Sequence, residues 1–499
     1  MHTSTRHRIL ALCGAALALG FSATASATNF LQVYQQALLN DPAYLQAHAI
    51  YMAAREARPE AFAVLLPQLT ASAGENWDHT SGVSYSLGNR STGALYALSE
   101  PSTSNTTGQT WSLNLSENLF SWTDWMNFKA ADRQVAQAQA TYEAAQQGLI
   151  LTTAQAYFGV LAAVDTLHAQ QSSLKALTLA LEQAREEFKV GLIPITDVEQ
   201  ARAARDASAA QVITDEQALS AAEDQLQVIT GRLYTTLAEP GENLPLATPR
   251  PADQHAWVQT ALQQNLTLIA TRFAADAADY NVRAAYGSDI PTISVVASRS
   301  YSGNDVNQTV FGQVFRGLPN NSANRQIGIE FSLPLFSGGG DEARIHQAEY
   351  QSIAAQDAVE QASRSAVQQA RDAYLGVISG IANVRALRQA LASSRISYVA
   401  TMAGYKVGTQ TEVDVLNALS TLVAAQTNYA SSRYNYIDSI VALQYAAGTL
   451  HPQEVATIDS WLTKTVRVAP GRITPSGMTP PPTPKNPPLP MNPPAPKKK

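Results

Sequence analysis

The 499-residue chain is 45% hydrophobic and 15% charged, with 25 prolines, one cysteine and a formal net charge of -6. That length supplies ample surface to bury, so a chain too short to build a core is excluded. The first 27 residues hold two basic groups and the last 38 hold seven, neither segment with an acid, which leaves residues 28 to 461 with 25 basic against 40 acidic residues. So acidic a body argues against nucleic-acid binding, which works by neutralising phosphates.

The N-terminus reads as an export signal. Arg6, His7 and Arg8 form a basic region, Ile9 to Phe21 an apolar stretch, and Ala25-Ser26-Ala27 an A-x-A cleavage site, so the mature chain is expected to start at Thr28. Cys13 lies inside the apolar stretch, leaving the exported chain without cysteine and without thiol or disulfide chemistry. A lipid anchor at Cys13 would need a small residue before it, and Leu12 is large. No later run of about 18 apolar residues predicts a membrane helix, a test that says nothing about strands.

Two halves follow the same order. Setting 157–231 against 374–448 without a gap gives 15 identities in 75 positions, clustered at Tyr157-Phe158-Gly159-Val160 with Tyr374-Leu375-Gly376-Val377, Lys189-Val190-Gly191 with Lys406-Val407-Gly408, Asp197-Val198 with Asp414-Val415, and Gly231 with Gly448. In the first half a helical segment (about 30–58) exits at Leu66-Pro67, and strands are expected at about 68–78 and 110–120. A Ser/Gly/Asn-rich loop separates them, and a long helix at about 123–189 follows. In the second, a helical segment (about 253–287) exits at Ile290-Pro291, strands fall at about 291–301 and 326–336, and a long helix covers about 340–406. The expected boundaries are 1–27 for the signal, 28–250 and 251–468 for the two repeats, and 469–499 for a Pro-rich basic tail with too few apolar residues to pack.

Val160, Ala163, Leu167, Gln170, Leu174, Leu177, Leu181, Ala184 and Phe188 alternate steps of three and four, the seam of a left-handed coiled coil. Val377, Gly380, Val384, Leu387, Leu391, Ser394, Tyr398, Thr401 and Tyr405 continue it in the second half. At 1.5 Å per residue each long helix reaches roughly 100 Å. The helices alone favour a soluble coiled-coil rod.

The strands change the balance. Trp111, Leu113, Leu115, Glu117 and Leu119 alternate with Ser112, Asn114, Ser116 and Asn118, while Ile327, Ile329, Phe331, Leu333 and Leu335 alternate with smaller or polar residues. Each expected strand has the length a tilted strand needs to cross a bilayer. Trp77, Tyr85, Tyr96, Trp111 and Tyr301 lie toward the loop ends, and Phe120, Trp122, Trp125 and Phe336 toward the helix ends, as in two aromatic girdles. A half-buried soluble sheet alternates in the same way. Four strands cannot close a membrane barrel, for which about eight is the minimum, so either the sheet is soluble or several chains share one barrel. The expected fold class is therefore mixed α/β: a shared transmembrane β-barrel with a long coiled-coil helical extension below it. A periplasmic coiled-coil structural or binding protein with a soluble sheet is the alternative.

Taken together, Leu31 to Ala37, Leu65-Leu66-Pro67-Gln68-Leu69, Ala156-Tyr157-Phe158, Phe188 to Leu192, Ile195 to Val198, Phe331 to Leu335, Gly404 to Thr409, Val413 to Leu416 and Ala430 to Tyr436 carry a resemblance to the TolC family of outer membrane efflux and secretion ducts. It spans about residues 29–450 in the same order, and it implies a homotrimer with a twelve-stranded barrel in the outer membrane and a helical barrel in the periplasm. The partners implied are a periplasmic adaptor, an inner-membrane pump or ABC exporter, and outer membrane lipid. The absence of a lipid-anchor motif fits the non-lipidated branch.

The helix-to-helix turns, Val190 to Thr196 and Val407 to Val413, lie far from the strands. Gly191 and Gly408 suit positions just past a helix, where positive φ costs glycine little. Thr196-x-x-Glu199 and Thr411-x-x-Asp414 have capping-box spacing, so a carboxylate at either helix start has a purely structural reading. By resemblance, Asp414 matches the first of two acidic residues ringing the family's closed entrance, and Asn417 stands where the second would be. Thr196, Asp197 and Tyr405 match positions whose hydrogen bonds tie entrance helices shut. Gln410 replaces an arginine of the family pattern, so neutral ties and one weaker acidic ring are expected. The turn ends Val190, Gly191 and Leu192, and Val407, Gly408 and Thr409, match the adaptor-contacting tips. The eight scattered histidines show no metal-ligand spacing. Gly338-Gly339-Gly340 lacks the Lys-Ser/Thr of a phosphate loop. No cofactor and no enzymatic activity are expected.

Overall fold

A computed structural model describes residues 28–468 apart from 90–92, 94, 242–243 and 311. The expected export signal and the Pro-rich tail lie outside the described residues. Helices α1 (Phe30–Asn40), α2 (Pro42–Arg55) and α3 (Ala57–Ala63) lead into strands β1 (Gln68–Asn89) and β2 (Leu95–Phe120), then the long helix α4 (Trp122–Lys189), α5 (Ile195–Thr230) and strand β3 (Thr236–Pro240). The second half runs α6 (Gln254–Gln264), α7 (Leu266–Ala285), β4 (Thr292–Val310), β5 (Gln313–Ser332), the long helix α8 (Gly340–Lys406), α9 (Glu412–Ala447), α10 (Pro452–Asp459) and β6 (Leu462–Arg467).

Local chemistry sets the helix ends. The expected 30–58 helix is three helices, because Asp41 caps α2 by accepting from the Tyr44 N–H and Pro42 fits the first turn. The second helical segment breaks in the same way at Asn265, which accepts from the Leu268 N–H. Helix α4 has 68 residues and α8 has 67, each about 100 Å long. The 36-residue α5 and α9 pack against them. Nearer the sheet, α2 and α3 cover α4, and α7 lies against both α4 and α8. Tyr44 and Tyr51 of α2 stack on Tyr142 of α4 there. One 18-residue window of α4 reaches a mean hydropathy of 1.3, and 61% of it is buried. Its apolarity serves this packing.

The main sheet is antiparallel in the order β1-β2-β4-β5, leaving β1 and β5 as edges. Its strands run 22, 26, 19 and 20 residues, about twice the expected length. The Ser/Gly/Asn-rich segment, expected to be a loop, is paired strand up to Asn89 opposite Leu95. Backbone pairing is indifferent to side-chain polarity, and cross-strand hydroxyls add to it, as in Ser72 with Ser112 at 2.8 Å. Register places Leu69, Leu115, Ala297 and Ile327 in one row, with Ala73, Trp111, Tyr301 and Ala323 four residues further from the helices. The opposite face carries Ser72, Ser112, Ser300 and Asn324. On the apolar face Ile327 is 85% exposed and Leu335, beyond the end of β5, is 89% exposed.

A second, two-stranded sheet has no counterpart among the expected elements. Strands β3 and β6 pair antiparallel, and Thr28 bridges to Leu237. Beneath it lies the main core. Phe30 packs on Tyr157 and Phe158 at ring-centroid distances of 5.4 and 5.7 Å, and Phe158 stacks on Tyr434 at 6.1 Å. The Tyr157 hydroxyl donates to the Ala238 carbonyl at 2.6 Å, and Tyr434 donates to Asp165 at 2.7 Å. Gly448 closes α9 at φ 75° against the Gln264 carbonyl, leaving no room for a Cβ. Because this core joins both halves, Phe158→Ala is expected to cost about 3–5 kcal/mol and Tyr157→Phe about 1 kcal/mol. Thermal melts of purified protein would check the ranking, and Gly448→Ala should fall nearer the larger loss.

Candidate functional site

The end of the helical body farthest from the sheet is built by two turns, α4 to α5 and α8 to α9. Each long helix ends in the same way. Gly191 (φ 79°) and Gly408 (φ 78°) take the left-handed conformation, the Leu192 N–H returns to the Glu187 carbonyl at 2.9 Å, and the Thr409 N–H returns to the Gly404 carbonyl at 2.9 Å. These six-to-one bonds satisfy carbonyls the helix leaves open. They also throw apolar side chains outward: Val190, Leu192 and Val407 are each more than 70% exposed.

The two shorter helices start differently. Thr411 caps α9, its hydroxyl accepting from the Asp414 N–H while the Asp414 carboxylate accepts from the Thr411 N–H at 2.9 Å and hydroxyl at 2.6 Å. Those bonds hold the exposed Asp414 carboxyl below its ordinary range. The capping box expected at Thr196 and Glu199 does not form. Pro194 is the cap residue of α5 and offers no side-chain bond, so Thr196 lies already inside the helix, where its hydroxyl donates to Asp197 at 3.1 Å. In the gapless repeat alignment Pro194 stands opposite Thr411 and Asp197 opposite Asp414.

An acidic cluster joins the four helix ends. Tyr405, on the last turn of α8, donates to Glu187 on the last turn of α4 at 3.2 Å. Burial first, then Glu187, Glu412 and Asp197, push the Tyr405 hydroxyl up to about 12. Glu412, on the first turn of α9, is 8% exposed with Oε2 lacking any partner. Burial, with Asp197 and Glu187 adding to it, pushes its carboxyl up to about 7. Within the chain the Tyr405 bond ends on a carboxylate. Gln410 makes no side-chain hydrogen bond among the described residues and folds back over Gly404, where a Cβ would meet its Cγ at 2.7 Å. Asn417, one turn beyond Asp414, faces the groove between α4, α5 and α9 with Gln170, Ser173 and Ser420. The structure thus gathers Asp197 and Tyr405 with Glu187 and Glu412, which sequence reasoning missed. Glu412 carries no motif; only its place beside the Thr411 cap could have pointed to it. No group of three or more His, Cys, Asp or Glu side chains able to hold a metal occurs among the described residues.

The sequence and the fold find relatives. The profile described as outer membrane efflux protein matches residues 33–232 and 257–449. Outer membrane protein TolC of Salmonella enteritidis is 35% identical over 461 residues, covering 91% of this chain and 89% of that protein. Alkaline protease secretion protein AprF of Pseudomonas aeruginosa is 25% identical over 460 residues, covering 91% of each. The CmeC outer membrane channel of Campylobacter jejuni superposes with a TM-score of 0.67 at 19% identity, covering 87% of this chain and 89% of that one. With the family match spanning both halves, the chain belongs to the outer membrane efflux protein family.

Proposed function

We propose that three copies of this chain form an outer-membrane exit duct, through which an inner-membrane transporter and its periplasmic adaptor expel efflux substrates or secreted proteins. The observation that carries the reading is the pair of unpaired edges, β1 and β5, on a sheet whose outer face is apolar. Lipid tolerates no unpaired strand edge, and four strands fall short of the smallest membrane barrel. Three copies supply twelve. Pairing β5 of one copy with β1 of the next satisfies every edge and turns the Ser/Thr/Asn face inward as a wetted lumen. The helices then continue the conduit for about 100 Å. The relatives named for TolC and for protease secretion support both efflux and secretion as uses of this duct. The protein is a passive conduit, with the driving energy supplied by its partner.

At the tip, threefold symmetry would bring three Asp414 carboxylates together, attracting cations and repelling one another. Asn417, one turn further along α9, adds no charge. Thr196, Asp197, Tyr405 and Gln410 hold the entrance helices together. The exposed Val190-Gly191-Leu192 and Val407-Gly408-Thr409 ends are the surface the adaptor grips, its contacts drawing the two helix pairs apart.

In planar bilayers, purified protein is expected to form cation-preferring channels, and Asp414→Ala to lower that preference severalfold. Unchanged selectivity would remove Asp414 from the conduction path. Gln410→Ala is expected to raise resting conductance above that of exposed control substitutions such as Gln171→Ala. A second test uses pH. The folded chain holds on Glu412 a proton that the unfolded chain releases near 4.5, so stability falls as pH rises from about 4.5 to about 7. Asp414, held low, loses its contribution only in more acidic solution, below about 3.8. Glu412→Gln should therefore flatten the decline in melting temperature between pH 5 and 8 in thermal scans, and an unaltered slope would contradict the assignment.

A further inference from the structure

We propose that Arg299 and Arg325 form a binding site for the phosphate headgroup of a phosphorylated lipid in the outer leaflet. The inference rests on the barrel reading above. Arg299 on β4 and Arg325 on β5 are directly opposed partners. Both are exposed, and they share the apolar face with Leu113, their row neighbour on β2. Like charges facing each other across two strands destabilise the pair, and an arginine turned toward lipid adds its own cost. Neither guanidinium has an ion pair or hydrogen bond among the described residues. Glu117 on the same face lies opposite Val295, four residues or about 13 Å along the strand from Arg299. Glu75 and Asp305 lie beyond the aromatic row. The sheet leaves the two charges to be neutralised by something outside this chain.

Their depth says what that is. The pair lies one row below Trp111 and Tyr301, at the end of the apolar band farthest from the helices, and so at the outer interface. Trp111 stacks with Tyr301 at a centroid distance of 6.4 Å, and the Arg299 guanidinium sits 5.8 Å from the Trp111 ring centroid. That contact pins one guanidinium at headgroup height. Two guanidinium forks on neighbouring strands, about 5 Å apart at the backbone, match the several oxygens of one phosphate. Leu115, Ala297 and Ile327 in the row beneath offer the apolar surface an acyl chain needs.

The test titrates delipidated protein in detergent with bisphosphorylated lipid A and with the same glycolipid stripped of phosphate, read by native mass spectrometry. Arg299→Gln/Arg325→Gln is expected to weaken lipid A binding by about tenfold or more, to bind the phosphate-free glycolipid as the parent does, and to keep parental conductance. Arg299→Lys/Arg325→Lys, which keeps charge without the forks, should fall between. Equal lipid A binding by parent and glutamine variant, with conductance intact, overturns the lipid site alone; absent conductance in the parent overturns the duct reading. Displacement of lipid A by millimolar inorganic phosphate alone would make the site a free-anion site and overturn the lipid assignment. Loss of assembly in lipid-free detergent on the glutamine substitutions would assign the arginines to a carboxylate of a neighbouring copy, again against the proposal.

Discussion

Unsatisfied backbone at the edges of a four-stranded sheet is the constraint from which the rest of the architecture follows. Under the duct proposal, every second residue along the edges of β1 and β5 turns its backbone N–H and C=O toward lipid, and their partners must come from another chain. A soluble sheet could leave those groups to water. Under the proposed duct reading this one cannot, because its outward rows are Leu69, Leu115, Ala297 and Ile327, with Ile327 almost wholly exposed. Closure by copies of itself answers both demands at once. It also explains why the apolar content is spread thinly: alternating strands and an Ala-rich coiled coil each need only every second, third or fourth residue to be apolar.

The same repetition organises the helical body. Helices α4 and α8 differ by one residue in length, and both end in a glycine of positive φ with the same returning hydrogen bonds. What differs is the start of the partner helix. Thr411 and Asp414 cap each other, whereas Pro194 leaves Asp197 without a reciprocal cap and free to act on Glu412 and Tyr405. One tip is thereby locally satisfied, and the other contributes charge to a shared acidic cluster.

Much of this was legible in the residues. Periodicity gave the long helices, Gly191 and Gly408 gave their ends, and alternation located the apolar rows of the sheet to within a few residues. The outer halves of the strands were not legible, because Ser, Thr, Asn and Gly carry no apolar alternation and backbone pairing needs none. The cap at Pro194 was readable from the repeat, which aligns it with Thr411, but the local pattern Thr196-x-x-Glu199 competed with it. Glu412 and Glu187 were invisible, since burial of a charged side chain at a four-helix junction depends on contacts 218 residues apart, as between Tyr405 and Glu187. The small β3–β6 sheet was lost for a similar reason: its strands have 5 and 6 residues, and their partners lie in opposite halves.

Sharing of one barrel among copies is the central claim, and cysteine crosslinking tests it most directly, since the only cysteine of the chain, Cys13, lies in the expected export signal. Ala73 on β1 and Ala323 on β5 sit in the same outward row at opposite edges of the sheet. With Ala323 and, in turn, each outward residue of β1 from Leu69 to His79 changed to cysteine, to span the stagger that barrel closure imposes, and membranes treated with a short thiol crosslinker, covalent bands at two and three chain masses and none higher are expected for at least one pair. Bands of a single chain mass only for every pair, or a ladder continuing past three, would contradict the claim.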